Sequence, residues 1–98
     1  MELKDTIDLM TSEDYKDRFK AEYYQTKIRY DKLHKMLVKN EAGVLDFTPT
    51  VPISKLMEQK RYMGEYLRML EIRAAIENID LYGGLIWLDT TETSSENF

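Results

Sequence analysis

The sequence predicts an all-α protein in which two long helices fold back on each other as an antiparallel hairpin, within a single domain of 98 residues. Apolar residues recur at alternating spacings of three and four in two separate stretches, which is the pattern of an amphipathic helix. No glycine or proline interrupts residues 12–42. About ten residues join the two stretches, and a connection that short favours antiparallel neighbours.

The first long helix is expected over about residues 12–41. Thr11 or Ser12 is a suitable N-cap residue, and Asp14 would place a negative charge in the first turn, where the helix dipole favours it. Gly43 is the type of residue that ends helices. The apolar seam predicted along this helix consists of Tyr15, Phe19, Tyr23, Thr26, Tyr30, Leu33 and Leu37.

The connection is expected over residues 42–51, with Val44, Leu45 and Phe47 plugging the open end of the hairpin. The second long helix is expected over about residues 52–79. Its seam consists of Ile53, Leu56, Lys60, Met63, Leu67, Leu70 and Ala74.

Two residues mark special positions in the second helix. Pro52 suits a first helical turn, because that turn needs no backbone donor from it. Gly64 lies off the seam, where glycine costs about 1 kcal/mol relative to alanine. We therefore expect another backbone to approach the helix closely at Gly64.

Each long helix also carries a second apolar ridge, and helices that are apolar on two faces are covered on two faces. The ridges consist of Ala21, Tyr24 and Ile28 on the first helix and Tyr62, Tyr66, Met69 and Ile76 on the second. The cover could come from the short N-terminal segment, from the C-terminal arm at residues 80–98, or from another subunit. That arm contains the apolar run Leu85–Leu88, whose Trp87 needs a buried site. We expect a combination of these covers in a homo-oligomer.

The charge distribution limits the partners. The net charge is −4, yet residues 15–39 carry eight basic and only three acidic side chains. This basic helix could bind an anion locally, but the acidic molecule as a whole opposes non-specific binding to DNA. No apolar run is long enough for a membrane span, and the absence of cysteine fits a cytoplasmic location.

No motif of a known catalytic or metal site is present, so we expect neither an enzyme nor a bound cofactor. The only histidine, His34, continues a stripe formed by Lys16, Lys20 and Lys27. This stripe is either a solvated helix flank or a phosphate-binding strip. The second ridge of the second helix, with Arg73 beside it, suits plain packing, a subunit interface or a nucleotide pocket.

The two helical stretches, "DYKDRFKAEYYQTKIRYDKLHKML" and "LMEQKRYMGEYLRMLEIRAAIE", resemble a family of small phage and prophage helical-hairpin proteins. The resemblance covers residues 14 to about 77. The positions that match its pattern are Tyr15, Arg18, Glu22, Leu56, Gln59, Met63, Tyr66, Leu67, Leu70 and Arg73.

This pattern is similar to the hairpin domain of the anti-CBASS and anti-Thoeris proteins, which oligomerise and act as sponges for cyclic nucleotide signals without cleaving them. The resemblance implies that the chain binds a cyclic dinucleotide, a cyclic trinucleotide or a cyclic ADP-ribose type signal, in the cytoplasm of an infected or lysogenic bacterial host. It implies four ligand-binding residues: Tyr15, Arg18, Tyr66 and Arg73. Lys27 and Arg61 join them on grounds of charge alone. The C-terminal extension from Gly83 departs from the pattern.

Two other functions fit the same sequence. The chain could inhibit a host defence protein directly, as anti-CRISPR proteins do, with its acidic tail or an exposed ridge on a basic host surface. It could also be an accessory helical oligomer that binds no small ligand.

Overall fold

A computed structural model of the chain describes residues 1–83, and over these residues the protein contains helices and no strand. A 3-10 turn at Leu3–Thr6 leads into a short helix α1 (Ile7–Met10), which is followed by the long helices α2 (Tyr15–Glu41) and α3 (Ile53–Glu77). This confirms the predicted all-α class for the described residues and adds a short N-terminal helix. The predicted arm around Trp87 lies outside the described residues.

Helix α2 begins later than predicted because its cap is Asp14 and not Thr11 or Ser12. The Asp14 carboxylate accepts a hydrogen bond of 3.0 Å from a backbone N–H of the first turn. The Thr11 hydroxyl instead donates to a carbonyl of α1. The Ser12 hydroxyl donates to the Asp17 carboxylate at 2.9 Å. The hydroxyls of both predicted cap residues therefore form hydrogen bonds in the corner between α1 and α2.

The remaining helix ends follow local sequence signals. Gly43, with a φ of 79°, follows the end of α2, and Pro52 is the N-cap of α3. Asn78 ends α3 in the left-handed conformation. The expected plug is wrong, because Val44 and Phe47 are 65% and 55% exposed. The space between α2 and α3 at this end stays open as a groove.

Residues further along α2 contact residues that come earlier in α3, so the two helices are antiparallel. Tyr15, at the start of α2, contacts Arg73, and Tyr30, near the middle of α2, contacts Gly64. Between these points the core is closed by buried side chains from α2, from α3 and from the segment after α3. The core consists of Phe19, Tyr23, Leu67, Leu70, Ala74, Ile79 and Leu81.

The N-terminal segment and residues 79–82 both pack on α2. The buried Thr6 hydroxyl accepts a hydrogen bond from the Gln25 amide at 2.9 Å. The Tyr24 hydroxyl donates to the Leu81 carbonyl at 2.8 Å. On the second ridge of α2, Ala21 is consequently only 2% exposed.

The second ridge of α3 is open to solvent within residues 1–83. It consists of four large apolar side chains, all of them exposed. Their exposed fractions are 56% for Tyr62, 43% for Tyr66, 47% for Met69 and 77% for Ile76. No helix in residues 1–83 combines the length and the apolar composition that a membrane span needs.

Candidate functional site

A groove of about 620 Å³ opens between α2 and α3 at the end where residues 42–52 connect them. Its volume falls within the range of small-molecule sites, which is about 300–1,000 Å³. Helix α2 lines one wall with Tyr30, His34, Leu37, Val38, Asn40 and Glu41, and helix α3 lines the other with Ile53, Met57, Lys60, Arg61, Gly64 and Glu65.

The groove has an apolar part and a polar part. Leu37, Val38, Ile53 and Met57 supply the apolar part near the connection, and Met57 is 59% exposed. The polar side chains of α3 lie one and two turns further along the helix. An apolar cleft with a few polar groups suits a ligand that combines a ring system with a charge.

The ring of Tyr30 is the aromatic surface of this groove. The Lys27 and Lys60 ammonium nitrogens each lie 5.8 Å from its centroid, within the range of a cation–π interaction. Gly64 lies directly opposite, since a β-carbon built there would be 3.4 Å from Tyr30 Cε1. The neighbour of Gly64 is thus a side chain, and the expected close approach of another backbone is wrong.

Two cations of the groove keep their charge available for a ligand. Among the described residues, neither Lys60 nor Arg61 forms an ion pair with a carboxylate. The Arg61 guanidinium lies over the Tyr62 ring at 4.4 Å. Glu65, one of the two groove carboxylates, pairs with Arg68 at 3.4 Å. An anion in the groove could therefore bind Lys60 and Arg61 without displacing a carboxylate.

Two of the predicted ligand-binding residues, Tyr15 and Arg73, meet in a cluster at the opposite end of the helix pair. The Arg73 guanidinium donates a hydrogen bond of 2.7 Å to the Tyr15 hydroxyl. It also lies 4.8 Å from the Phe19 ring and 3.6 Å from Glu77 Oε2. These contacts link the start of α2 to the end of α3. They also surround the Arg73 guanidinium with three side chains.

The other four predicted residues are distributed over three places. Arg18 donates to the Ser12 carbonyl at 2.8 Å, so it fastens the corner before α2. Tyr66 lines a shallow depression of about 440 Å³ on the side of α3 that faces Thr26. Arg61 lines the groove. Lys27 lies outside its lining, 5.8 Å from the centroid of the Tyr30 ring, and pairs with Asp31 at 2.8 Å. The structure does not bring the six residues into one site.

Sequence reasoning missed Tyr30, Lys60 and Gly64 as site residues. Tyr30 and Lys60 were assigned to the packing seams, because their spacing matches the apolar repeat. Two signals could have found them. Lys60 is the only polar member of its seam, and Gly64 is an unexpected glycine inside a helix. In an antiparallel pair both lie opposite the same part of α2.

A second polar cluster lies in the closed part of the helix pair. The Tyr23 hydroxyl donates a hydrogen bond of 2.7 Å to the Glu71 carboxylate. Burial raises the pKa of Tyr23 well above its usual range, and the hydrogen bond and charge of Glu71 act in the same direction. Burial also raises the pKa values of Tyr24 and Tyr82. The Tyr23 and Tyr24 hydroxyls are therefore neutral at neutral pH, and they donate hydrogen bonds that stabilise the core.

Comparison with known protein families gives a match to the Sequestin family over residues 13–76. Comparisons with curated proteins and with solved structures give no significant match. The matched segment contains α2, the connection and all of α3 except its last residue, so it includes every residue of the groove. The name of the family denotes sequestration, which agrees with the resemblance to sequestering proteins and implies a bound partner. Because the match covers more than half of the 98 residues, the chain belongs to the Sequestin family.

Proposed function

We propose that the protein binds a cyclic nucleotide signal in the groove between α2 and α3 and sequesters it without cleaving it. The observation that carries this proposal is the position of Lys60 beside the Tyr30 ring, in a groove that Arg61 also lines. Neither cation forms an ion pair within residues 1–83. Aromatic rings stack on bases, and lysine and arginine bind phosphates. The family match supports sequestration as the outcome of this binding.

The composition of the groove favours binding over catalysis. Its lining contains no serine, threonine or cysteine that could act as a nucleophile. His34 has no hydrogen bond that orients it among the described side chains, whereas a general base needs a fixed position against the proton that it removes. A ligand bound here would be held intact.

Sequestration of a signal would prevent that signal from reaching its receptor. We propose that the protein acts in this way against a CBASS or Thoeris type defence of a bacterial host, as a phage-encoded sponge. The resemblance of residues 14 to about 77 to such sponges supports the assignment, together with membership of a family named for sequestration.

The proposal is tested by calorimetric titration of the full chain with cyclic dinucleotides, cyclic trinucleotides and cyclic ADP-ribose isomers. We expect saturable binding of at least one of them. Lys60→Ala and Arg61→Ala should each weaken it about tenfold, because each removes about 1.4 kcal/mol or more of charge-assisted phosphate binding. Lys32→Ala and Arg29→Ala are matched controls, since both residues are exposed on α2 outside the groove. The proposal would be contradicted if no compound gave a heat of binding. It would also be contradicted if the control variants lost as much affinity as Lys60→Ala and Arg61→Ala.

The exposed ridge of α3 favours a second candidate function, direct binding of a host defence protein. Tyrosine and methionine, which are enriched at protein interfaces, form three of its four exposed side chains. Anti-defence activity measured in host cells separates the two candidates. Activity that survives Lys60→Ala but is lost in Ile76→Glu would favour the protein partner.

A further inference from the structure

The chain turns back towards the groove after α3. Asn78 ends α3 in the left-handed conformation, and the Tyr24 hydroxyl then donates a hydrogen bond to the Leu81 carbonyl. The last turns of α3 lie beside Tyr15, because Arg73 contacts it. From there to Leu81 the chain therefore moves from the level of Tyr15 to that of Tyr24. This is nine residues along α2, or about 14 Å in the direction of the groove.

The last described residues lie on the face of the helix pair that contains the groove. Tyr82 lines a shallow depression together with Glu71, which follows Gly64 by seven residues and so shares its face of α3. Burial raises the pKa of Tyr82, and the charge of the nearby Lys27 acts in the opposite direction. The Lys27 ammonium in turn lies 5.8 Å from the centroid of the Tyr30 ring. The described part of the chain thus ends beside the near edge of the groove.

The sequence that follows Gly83 matches the groove in its chemistry. Residues 85–88 are apolar and include the only tryptophan, whereas residues 89–98 carry three carboxylates and no lysine or arginine. The groove has an apolar part with exposed side chains, and beside it Lys60 and Arg61. In the described part of the chain neither cation forms an ion pair. An apolar segment followed by acidic residues therefore complements the groove in both parts.

The distance from Gly83 to the apolar part of the groove is short enough for this segment. Four residues from Gly83 to Trp87 span about 13 Å when the chain is extended. Met57, in the apolar part, lies two helical turns from Gly64, which is about 10 Å along α3. Trp87 can therefore reach the apolar part, and the acidic residues that follow it come within reach of Lys60.

We propose that residues 85–89 of the chain dock in the groove of the same chain, with Trp87 on the apolar part and Asp89 at Lys60 and Arg61. A tryptophan buries about 150–250 Å² of surface, and this burial offsets the cost of ordering the segment. A ligand of the groove has to displace the segment, which therefore competes with it. This inference goes beyond the proposed function, because it depends on the groove and not on the identity of the ligand.

The fluorescence of Trp87 tests the docking directly, since the chain contains no other tryptophan. In the full wild-type chain the emission should lie at short wavelength, and acrylamide should quench it weakly. Met57→Glu should shift the emission to longer wavelength and increase the quenching, because it places a charge in the apolar part of the groove. Met69→Glu is the matched control, since both methionines are exposed on α3 and Met69 lies outside the groove. Circular dichroism checks that both variants keep their helices.

The outcomes separate this inference from its alternatives and from the proposed function. Solvent-exposed emission in the wild type, or no change in Met57→Glu, would overturn the docking. A shift in Met69→Glu as large as that in Met57→Glu would also overturn it. Emission that changes with protein concentration would place the segment on a second copy and overturn docking within one chain. Docked Trp87 in a protein that binds no cyclic nucleotide would keep this inference and reject the proposed function, whereas cyclic nucleotide binding with exposed Trp87 would do the reverse.

Discussion

At the scale of single residues, Tyr23 and Tyr30 show how one residue type takes two roles. Both lie on the α2 seam, seven residues apart, so their spacing alone predicts the same packing role. The residue opposite on α3 makes the difference. Glu71 accepts a hydrogen bond from the Tyr23 hydroxyl, whereas Tyr30 lies opposite Gly64 and its ring lines the groove. The sequence pattern predicts the seam, but the pairing across the helices decides which tyrosine lines the groove.

Tyr23→Phe is expected to lower the free energy of unfolding by about 1.5–3 kcal/mol, because it removes a hydrogen bond to a charged carboxylate in a buried position. Urea unfolding followed by circular dichroism measures the change. Tyr62→Phe is the control, since Tyr62 is 56% exposed and its hydroxyl makes no hydrogen bond among the described residues. Equal effects of the two substitutions would show that the Tyr23 hydroxyl contributes nothing to stability.

The raised pKa of Tyr23 predicts a loss of stability at alkaline pH. Tyrosines of the unfolded chain release their protons near pH 10, while the folded chain retains the proton of Tyr23 to higher pH. The unfolded state then binds fewer protons, so the free energy of unfolding should fall as the pH rises above about 10. Urea unfolding between about pH 9 and 11 should show a shallower fall in Tyr23→Phe than in the wild type. Parallel curves for the two proteins would argue against this assignment.

At the scale of the helices, the sequence predicts most of the architecture. The apolar repeats, Gly43 and Pro52 indicate the long helices and where they end or begin, because these signals act locally. The start of α2 was misplaced, since Thr11 and Ser12 are engaged by the corner with α1, a contact between elements. The groove was missed for a similar reason, because it exists only where the connection leaves the helices uncovered.

The predicted ligand-binding residues show the same limit of local information. A pattern match selected Tyr15 and Arg73, and the structure joins them in a cluster that holds the helix pair together. Charge alone selected Lys27 and Arg61; Arg61 lines the groove, and Lys27 lies near the Tyr30 ring. Neither the pattern match nor the charge gives the distance between the helices. That distance decides whether a tyrosine and an arginine lie at the groove or hold the two helices together.

Asp14→Ala is expected to destabilise the protein by about 1 kcal/mol, within a range of about 0.5–2 kcal/mol, because the first turn of α2 loses its cap. The effect should appear as a lower midpoint of urea unfolding with an unchanged slope. Glu13→Ala, which removes a neighbouring exposed carboxylate with no capping bond, should stay within about 0.5 kcal/mol of the wild type. A cap at Ser12 would instead leave Asp14→Ala without effect.

At the scale of the whole molecule, the two ends of the helix pair differ. The end near Tyr15 and Tyr23 is closed by aromatic packing, by the Arg73 cluster and by residues 79–82. The end near the connection is open and lined by Tyr30 and by Lys60 and Arg61, which form no ion pair within residues 1–83. A closed end and an open end in one helix pair suit the proposed binding function, because the closed core supports the groove without filling it.

The exposed ridge of α3 predicts self-association of the chain. Light scattering of the wild type should give a mass above that of one 11.7 kDa chain. Ile76→Glu should shift the mass to a single chain, because it places a charge in the ridge at a side chain that is 77% exposed. Ile7→Glu, at a 51% exposed isoleucine of α1, should leave the mass unchanged. A wild-type protein that stays monomeric up to high concentration would remove the ridge as an oligomer interface.

The central claim, binding without cleavage in the groove, is tested most directly by recovery of the bound ligand. The full chain is incubated with a cyclic nucleotide that binds it, separated from free ligand by gel filtration, and then denatured. Chromatography of the released material should return the intact cyclic compound in proportion to the protein, and Lys60→Ala should return far less than Lys32→Ala. Release of a linear or hydrolysed product, or equal recovery from both variants, would contradict the account.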